Sequence, residues 1–448
     1  MIPMTAQEIA AAAGGTLYGK GMASAVSTDS RSIQPGCLFV PLIGERFDGH
    51  SYIDASLSAG AAGCLCARLP ETRREDRFYI LVPDTLLALK NLASAYRSRF
   101  RLPVVQITGS VGKTTTKEMA AAVLRRHGET LFTEGNLNNA IGVPLTLLRL
   151  STEHWAAVVE SGMDRFGEIR YAGEMIRPDI AVITNIGDVH VELLGSREGI
   201  LRAKSEIFEN LKADGTVILN GDDTLLNTLD LPFATLRCGY GENCQVRVSE
   251  VEDRGFGGVR CTVTTAKAVY HLEIPAFGTH MVYAAAMAAA IGELLGLTEE
   301  EIIAGVADYQ PTGSRLRLIH LSDDRVILDD CYNANPHAMT AMLQVLSKGE
   351  RTVAIMGDMG ELGEQAAQIH REMGALARDL GIGFVIAVGK NAKYMAEGAS
   401  PLPAKWYPTV DDFLSDLPEE AFQPGTVTGV KASHFMHFER IVEALQNR

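Results

Sequence analysis

Apolar residues fall in short unbroken runs, separated by stretches where they recur at helical spacing. The runs 104–108, 156–160, 180–184 and 216–220 are rich in Val, Ile and Ala and predict buried strands. After the first of them, 113–126 reads as a helix stopped by Gly128, followed by an extended 130–133. Leu86, Leu89, Leu92, Ala93 and Tyr96 place an earlier helix over 86–100. Buried runs alternating with helices argue for a parallel sheet covered on both faces. Gln310-Pro311-Thr312-Gly313 reads as a linker, and the alternation then resumes with strands 325–329, 352–356 and 384–388 around a helix near 365–380. Ahead of residue 85 the apolar runs are shorter (37–42, 80–82) and broken by turns such as Gln34-Pro35-Gly36. Thr5 with Glu8 forms a capping box, and Thr298-Glu299-Glu300-Glu301 caps another helix. The pattern predicts an α/β chain of three domains, 1–84, 85–314 and 315–448.

Composition narrows the class. The 448 residues, 46% hydrophobic and 21% charged, can build several cores without disulfide or metal staples. The net charge of −14, without a basic block, argues against general nucleic-acid binding but leaves room for a local basic pocket holding a phosphorylated small molecule. Seven cysteines form neither a disulfide framework nor paired CxxC motifs, which fits a reducing compartment. The N-terminus has no basic and apolar leader pattern, and no 18-residue uncharged apolar run occurs, so a cytoplasmic chain without a membrane span is expected.

The sharpest chemical signal is Thr108-Gly109-Ser110-Val111-Gly112-Lys113-Thr114-Thr115, directly after a predicted strand and opening a predicted helix. Glycines let backbone N–H groups turn inward, and the helix N-terminus supplies positive potential for a phosphate. Lys113 would reach the β- and γ-phosphates and Thr114 would ligate Mg²⁺, pointing to a nucleoside triphosphate. The loop is shorter than a strict GxxxxGK[ST], and its bland reading is a glycine-bearing strand–helix turn.

Other candidates sit at strand ends. Glu160 closes a buried run, where a carboxylate faces the crevice of an open α/β sheet, or else it is an exposed loop-edge residue. His190 follows the run 180–184, and Lys204 lies on a helix where by itself it reads as a surface lysine. Asn136, Asn138 and Asn139 would orient a polar substrate or merely cap a turn. Asp330 and Asp358 end strands in the last third, either facing the nucleotide or capping helices.

Taken in order, these segments resemble the Mur ligases of peptidoglycan synthesis over nearly the whole chain. The resemblance rests on Thr28-Asp29-Ser30-Arg31 and Gly44-Glu45-Arg46-Phe47-Asp48-Gly49-His50, on TGSVGKTTTKE, GNLNNAIGVP, TNIGDVHVE and AKSEIF, and on DDCYNANP and GDMGELG. It implies a central P-loop ATPase domain flanked by an N-terminal UDP-substrate domain and a Rossmann-like C-terminal α/β domain. The N-terminal blocks are similar to those of the member that joins D-Ala-D-Ala to UDP-N-acetylmuramoyl-tripeptide through an acyl phosphate. The cofactors implied are ATP and Mg²⁺. Residues 108–115 with Arg315 and Asp330 would bind the nucleotide. Thr114, Glu160, His190 and Lys204, the last as a carbamate, would hold Mg²⁺. Ser30, Arg31, Asp48, His50 and the three asparagines would meet the muramoyl substrate, and the enzyme is expected to be a monomer. Ala284 stands where the family usually has an adenine-binding asparagine, and His434 where it usually has arginine. The rivals are a sister ligase, folylpolyglutamate synthase, a P-loop NTPase working on a protein partner and a dead binding protein.

Overall fold

The computed structural model describes residues 1–44, 47–187, 191–311, 313, 316–321, 323–360 and 362–447. It divides into two compact units, Met1–Glu250 with Cys261–Leu272 and Val282–Asp308, and Val251–Arg260 with Glu273–Met281 and Tyr309–Arg448.

The first unit begins with β1 (Met4–Thr5), β2 (Thr16–Tyr18), β3 (Met22–Ala23), β4 (Ala25–Ser27), β5 (Cys37–Phe39), β6 (Gly63–Cys66) and β7 (Phe78–Leu81). β1 and β3 form an antiparallel pair, and the others make a sheet in the order β2-β7-β6-β5-β4, parallel except at the β2 edge. The helix Thr85–Arg97 follows, its start fixed by Asp84, whose carboxylate accepts from the N–H groups of Leu86 and Leu87. It stops three residues before the sequence reading has it. Its inner face carries Leu89, Leu92 and Tyr96 into a core shared with Phe78, Val104 and Val159. Full burial of each such side chain contributes about 2 kcal/mol. The Tyr96 hydroxyl donates to Leu150 O at 2.6 Å and accepts from Ile2 N at 2.6 Å, so its polar end is satisfied as well.

The large sheet contains β8 (Val104–Thr108), β9 (Thr130–Phe132), β10 (Ala156–Glu160), β11 (Ile180–Ile183), β12 (Thr216–Asn220), β13 (Ala234–Gly239), β14 (Val246–Asp253), β15 (Val259–Thr264) and β16 (Val269–Ile274). Its order is β16-β15-β14-β13-β12-β11-β8-β10-β9, parallel from β9 through β14. The strand order reverses at β8, where β9 and β10 lie to one side and β11 onward to the other. Ligands of open α/β sheets bind at the carboxyl ends beside such a reversal. The register sets Ile107 against Glu160 and Thr108 against Ile183, so three strand ends finish level at that point.

The second unit carries β17 (Arg317–His320), β18 (Val326–Asp329), β19 (Arg351–Gly357), β20 (Phe384–Val388), β21 (Ala404–Tyr407) and β22 (Thr426–Lys431). The order is β17-β18-β22-β19-β20-β21, with β17 antiparallel and the rest parallel. Apolar clusters cover both faces, Met339 and Met342 among one and Phe413 and Ile441 among the other. The helix expected near 365–380 runs Ala366–Asp379. All seven cysteines are buried and none forms a disulfide. Among the described residues no helix is long and apolar enough to cross a membrane.

Candidate active site

β8 delivers the chain into the phosphate loop at Thr108, whose hydroxyl donates to Ser161 O at 2.8 Å. Gly109 adopts φ +152°, and a Cβ there would lie 1.9 Å from Thr184 Oγ1, so the position accepts glycine alone. Gly112, at φ +81°, turns the chain into the helix Lys113–Arg125. The loop is clamped from β11. Ser110 N donates to Asn185 O at 3.0 Å, Val111 N to Asn185 Oδ1 at 2.9 Å, and Gly187 N to Ser110 Oγ at 2.8 Å. Val111 O accepts from Thr184 Oγ1 at 2.6 Å. The sequence reading took Thr184-Asn185-Ile186-Gly187 for a strand end on the way to His190. In the fold these residues bind the phosphate loop at Ser110 and Val111.

Two lysines meet on one carbonyl. Lys113 Nζ donates to Gly109 O at 2.8 Å, and Lys204 Nζ donates to the same oxygen at 3.0 Å. Lys204 is not the surface lysine its helix suggested, because Arg197–Ser205 turns that face inward and leaves it 2% exposed. Burial, and then the charge of Lys113, pull the Lys204 amine down to about 7. Near neutrality a large share of it is therefore the uncharged, nucleophilic amine.

Glu160 is buried too, which removes the loop-edge reading. Its N–H donates to Thr133 Oγ1 at 2.9 Å, and its Oε1 accepts from Asn138 Nδ2 at 2.8 Å. Oε2 is buried and has no hydrogen-bond partner among the described residues. Thr133 is held in turn by Lys117, a fully buried lysine whose Nζ donates to Thr133 O at 2.6 Å and pairs with Glu118 at 2.6 Å. Sequence reasoning passed over Lys117, whose one signal was its place on the inner face of the helix Lys113–Arg125.

Lys113, Lys204, Asn138 and Asn139 line a cavity of about 630 Å³ with Gly109 and Ser110. Asn139 Oδ1 caps the turn by accepting from Ile141 N at 3.0 Å and Gly142 N at 2.9 Å, while Asn136 is exposed and is not among the lining residues. Of the three asparagines, only Asn138 is bonded to Glu160. His190 and Arg315 lie outside the described residues. Among the described residues no group of three or more His, Cys, Asp or Glu could hold a metal.

The N-terminal candidates lie elsewhere in the same unit. Arg31 is exposed and paired with Asp29, and Ser30 is half-buried beside it. His50 Nδ1 lies 2.7 Å from Asp48 Oδ1, and its Nε2 accepts from Ala67 N at 2.9 Å. The second contact makes Nδ1 the protonated nitrogen, so Asp48 fixes the tautomer and both nitrogens are engaged. His50 and Arg68 line a smaller cavity of about 140 Å³.

In the second unit the DDCYNANP and GDMGELG segments and Lys431 stand at adjacent carboxyl strand ends, as β18, β22 and β19 are neighbours. Asp330 is buried. Its Oδ2 pairs with Lys431 at 2.5 Å, and its Oδ1 accepts from Leu316 N at 3.1 Å. Asp358 caps the 391–392 turn, accepting from Asn391 N at 2.9 Å and Ala392 N at 2.7 Å. It is not the N-cap of any helix: the helix that follows it is capped by Gln365 and the one after the turn by Ala392. His370, unnoticed in the sequence, accepts from Met359 N at 3.0 Å through Nε2 and thereby fixes the GDMG turn. His434 rests edge-on to Tyr332, ring centroids 6.1 Å apart. Ala284 is buried in the first unit, and its neighbour Tyr283 donates to Asp222 Oδ2 at 2.9 Å.

Three family models match the chain in order: the Mur ligase family catalytic domain over 23–97, the Mur ligase middle domain over 107–292, and the Mur ligase glutamate ligase domain over 314–434. A UDP-N-acetylmuramoyl-tripeptide–D-alanyl-D-alanine ligase of Bacillus subtilis (strain 168) is 38% identical, over 99% of this chain and 99% of its own. The chain belongs to the Mur ligase family. Its structure aligns with a crystal structure of MurF from Acinetobacter baumannii at a TM-score of 0.93 and 33% identity, covering 100% of this chain and 99% of that one. The MurF ligase from Thermotoga maritima in complex with ADP aligns at a TM-score of 0.77 and 26% identity, covering 94% and 97%. Within a Mur ligase of this kind, the paired lysines and the buried carboxylate stand where the sheet order reverses.

Proposed function

We propose that this chain is an ATP-dependent amide ligase that joins D-Ala-D-Ala to the terminal carboxylate of UDP-N-acetylmuramoyl-tripeptide. The observation that carries the chemistry is the meeting of Lys113 and Lys204 on Gly109 O, at the mouth of a phosphate loop and beside the buried Glu160. The substrates are those in the names of relatives that span almost the whole chain.

In this reading the peptide carboxylate attacks the γ-phosphate of ATP, giving an acyl phosphate and ADP. The amine of D-Ala-D-Ala then attacks the acyl carbon, and the tetrahedral intermediate expels phosphate to leave the amide. Within residues 108–115, Ser110 and Val111 give their N–H groups to Asn185, and the backbone N–H groups from Gly112 to Thr115 at the helix N-terminus would wrap the phosphates. Lys113 leaves Gly109 O and Ser110 O, to which it donates at 2.8 and 3.3 Å, to offset the charge that develops on the transferring phosphoryl group. Asn138 lines the cavity, holds Glu160 through its side-chain amide and would meet the muramoyl substrate.

The residues fit a magnesium ion. Glu160 Oε2 is a buried carboxylate oxygen without a partner among the described residues, and Thr114 stands in the first turn of the loop's helix. Mg²⁺ is commonly held by one or two carboxylates plus substrate phosphates and water, so a sparse protein set suffices. When bound, it withdraws charge from phosphate oxygens. Lys204 joins this set as a carbamate: its amine attacks CO₂, a proton leaves, and an anionic oxygen donor replaces a would-be cation. The depressed basicity of Lys204 supports that step, since only the neutral amine captures CO₂. His190 would complete the set, Arg315 and Asp330 would meet the nucleotide, and Ser30, Arg31, Asp48 and His50 the UDP-sugar. Two partners on Asp330 still leave acceptor lone pairs for a ribose hydroxyl. Residues 1–84, 85–314 and 315–448 then divide the work as substrate, ATP and closing domains of a cytoplasmic monomer.

Phosphate release from ATP and Mg²⁺ tests the assignment, with each organic substrate supplied alone and then both together. Release that requires both, matched mole for mole by the muramoyl pentapeptide, is expected. Equal release without either would return the chain to the NTPase class.

A further inference from the structure

A cavity of about 540 Å³ opens at the amino ends of β8 and β11, the opposite edge of the sheet from the phosphate loop. Arg97, Arg101, Arg177 and Lys212 line it with a single carboxylate, Asp179. Asp179 is already committed: Oδ2 accepts from Val104 N at 2.9 Å, and Oδ1 takes Lys212 Nζ at 2.5 Å. Arg97 is 6% exposed and gives one nitrogen to Phe100 O at 2.8 Å. Its Nε is buried without a hydrogen-bond partner among the described residues. Arg101 and Arg177 are exposed and have no ion-pair partner among the described residues.

The bland account is that these cations cap the carboxyl ends of the helices Thr85–Arg97 and Glu168–Ile176, which both finish here. The magnitudes argue against it. Each helix end supplies about half a negative charge. Four cations against one carboxylate leave three positive charges, so about two remain after both helix ends are counted. That excess stands in a chain whose net charge is −14. Burial is the main cause that lowers the basicity of Arg97, with Asp179 raising it and Arg177 lowering it.

We infer that this cavity binds a phosphorylated small molecule with an apolar body. The phosphate lies among Arg97, Arg101 and Arg177, whose guanidinium groups match its oxygens in planar pairs. The apolar body lies on the wall formed by Phe100, Leu102 and Pro103. No residue of the ligase machinery lines the cavity, so the site is independent of the proposed reaction.

Phenyl phosphate carries both features and serves as the probe, with inorganic phosphate as the comparison. Calorimetric titration of the full chain, saturated with ADP to fill the phosphate loop, is run on wild type and on an Arg101→Ser, Arg177→Gly double variant. Both positions are exposed. Arg177 also holds a left-handed φ of 49° at its helix end, where glycine is at ease, so the variant keeps the fold. Saturable binding of phenyl phosphate, tighter than that of phosphate and weakened at least about tenfold in the variant, supports the site. Equal affinity in both proteins, or no saturable binding to wild type, overturns it.

Discussion

Lys204 shows how far a single position departs from its local sequence. On the helix Arg197–Ser205 it has the neighbours of an ordinary surface lysine, and only the return of that helix against Gly109, 95 residues away in the chain, buries it. Its folded basicity, near 7, sits below the ordinary 10.5, so between those values the unfolded chain binds the extra proton. Stability therefore rises with pH across that window, and below it the fold carries the full penalty of a buried charge. In CO₂-free buffer, the denaturant midpoint of the wild type should climb from pH 7 to pH 9 by the equivalent of about 2 kcal/mol relative to Lys204→Met, as each pKa unit is worth about 1.4 kcal/mol. Parallel pH profiles for the two proteins would mean that Lys204 is charged in the fold. The same residue gives a second expectation. Lys204→Ala should lose most ligase activity, and a high concentration of a short carboxylate should restore part of it by supplying the missing anionic oxygen. Full activity in the unsupplemented variant would refute the carbamate.

At the scale of elements, the phosphate loop was legible because everything that defines it is local: an apolar strand, two glycines and a helix start within about ten residues. Its clamp was not. Thr184 and Asn185 reach Val111 across 73 and 74 residues, and nothing in Thr184-Asn185-Ile186-Gly187 announces that pairing. Asn139 and Asn138 illustrate the same limit, since one caps a turn two residues on and the other reaches Glu160 across 22. Their shared composition could not separate the roles. Asp330 is also decided at long range, by Lys431 on a strand 101 residues later. The loop and its clamp make a sharp prediction at Gly109. A Gly109→Ala change drives a methyl into Thr184 Oγ1, breaks the bond to Val111 O and opens the N–H cradle. ADP affinity measured by calorimetry should fall at least about tenfold, with the loss of one or two charge-assisted hydrogen bonds. Wild-type affinity in that variant would show that the loop tolerates the rearrangement and does not depend on the clamp.

For the whole molecule, the alternation of buried runs and helices was enough to give parallel α/β sheets. The strand order itself was not legible, because apolar runs of similar composition pair interchangeably until helices and crossovers fix them. Nor was the packing of the helix Thr85–Arg97 into a core shared with β7, β8 and β10. Strand order and register set Glu160, at the end of β10, beside the β8 end that feeds the phosphate loop, where Lys113 and Lys204 meet on Gly109 O. The central claim is that these residues serve acyl phosphate chemistry. The most direct measurement labels the terminal carboxylate of UDP-N-acetylmuramoyl-tripeptide with oxygen-18, lets a single turnover proceed with ATP and D-Ala-D-Ala, and weighs the released phosphate. One labelled oxygen per phosphate is the expected result, because the carboxylate oxygen that attacks the γ-phosphate leaves with it. Unlabelled phosphate beside a formed amide bond would contradict the account.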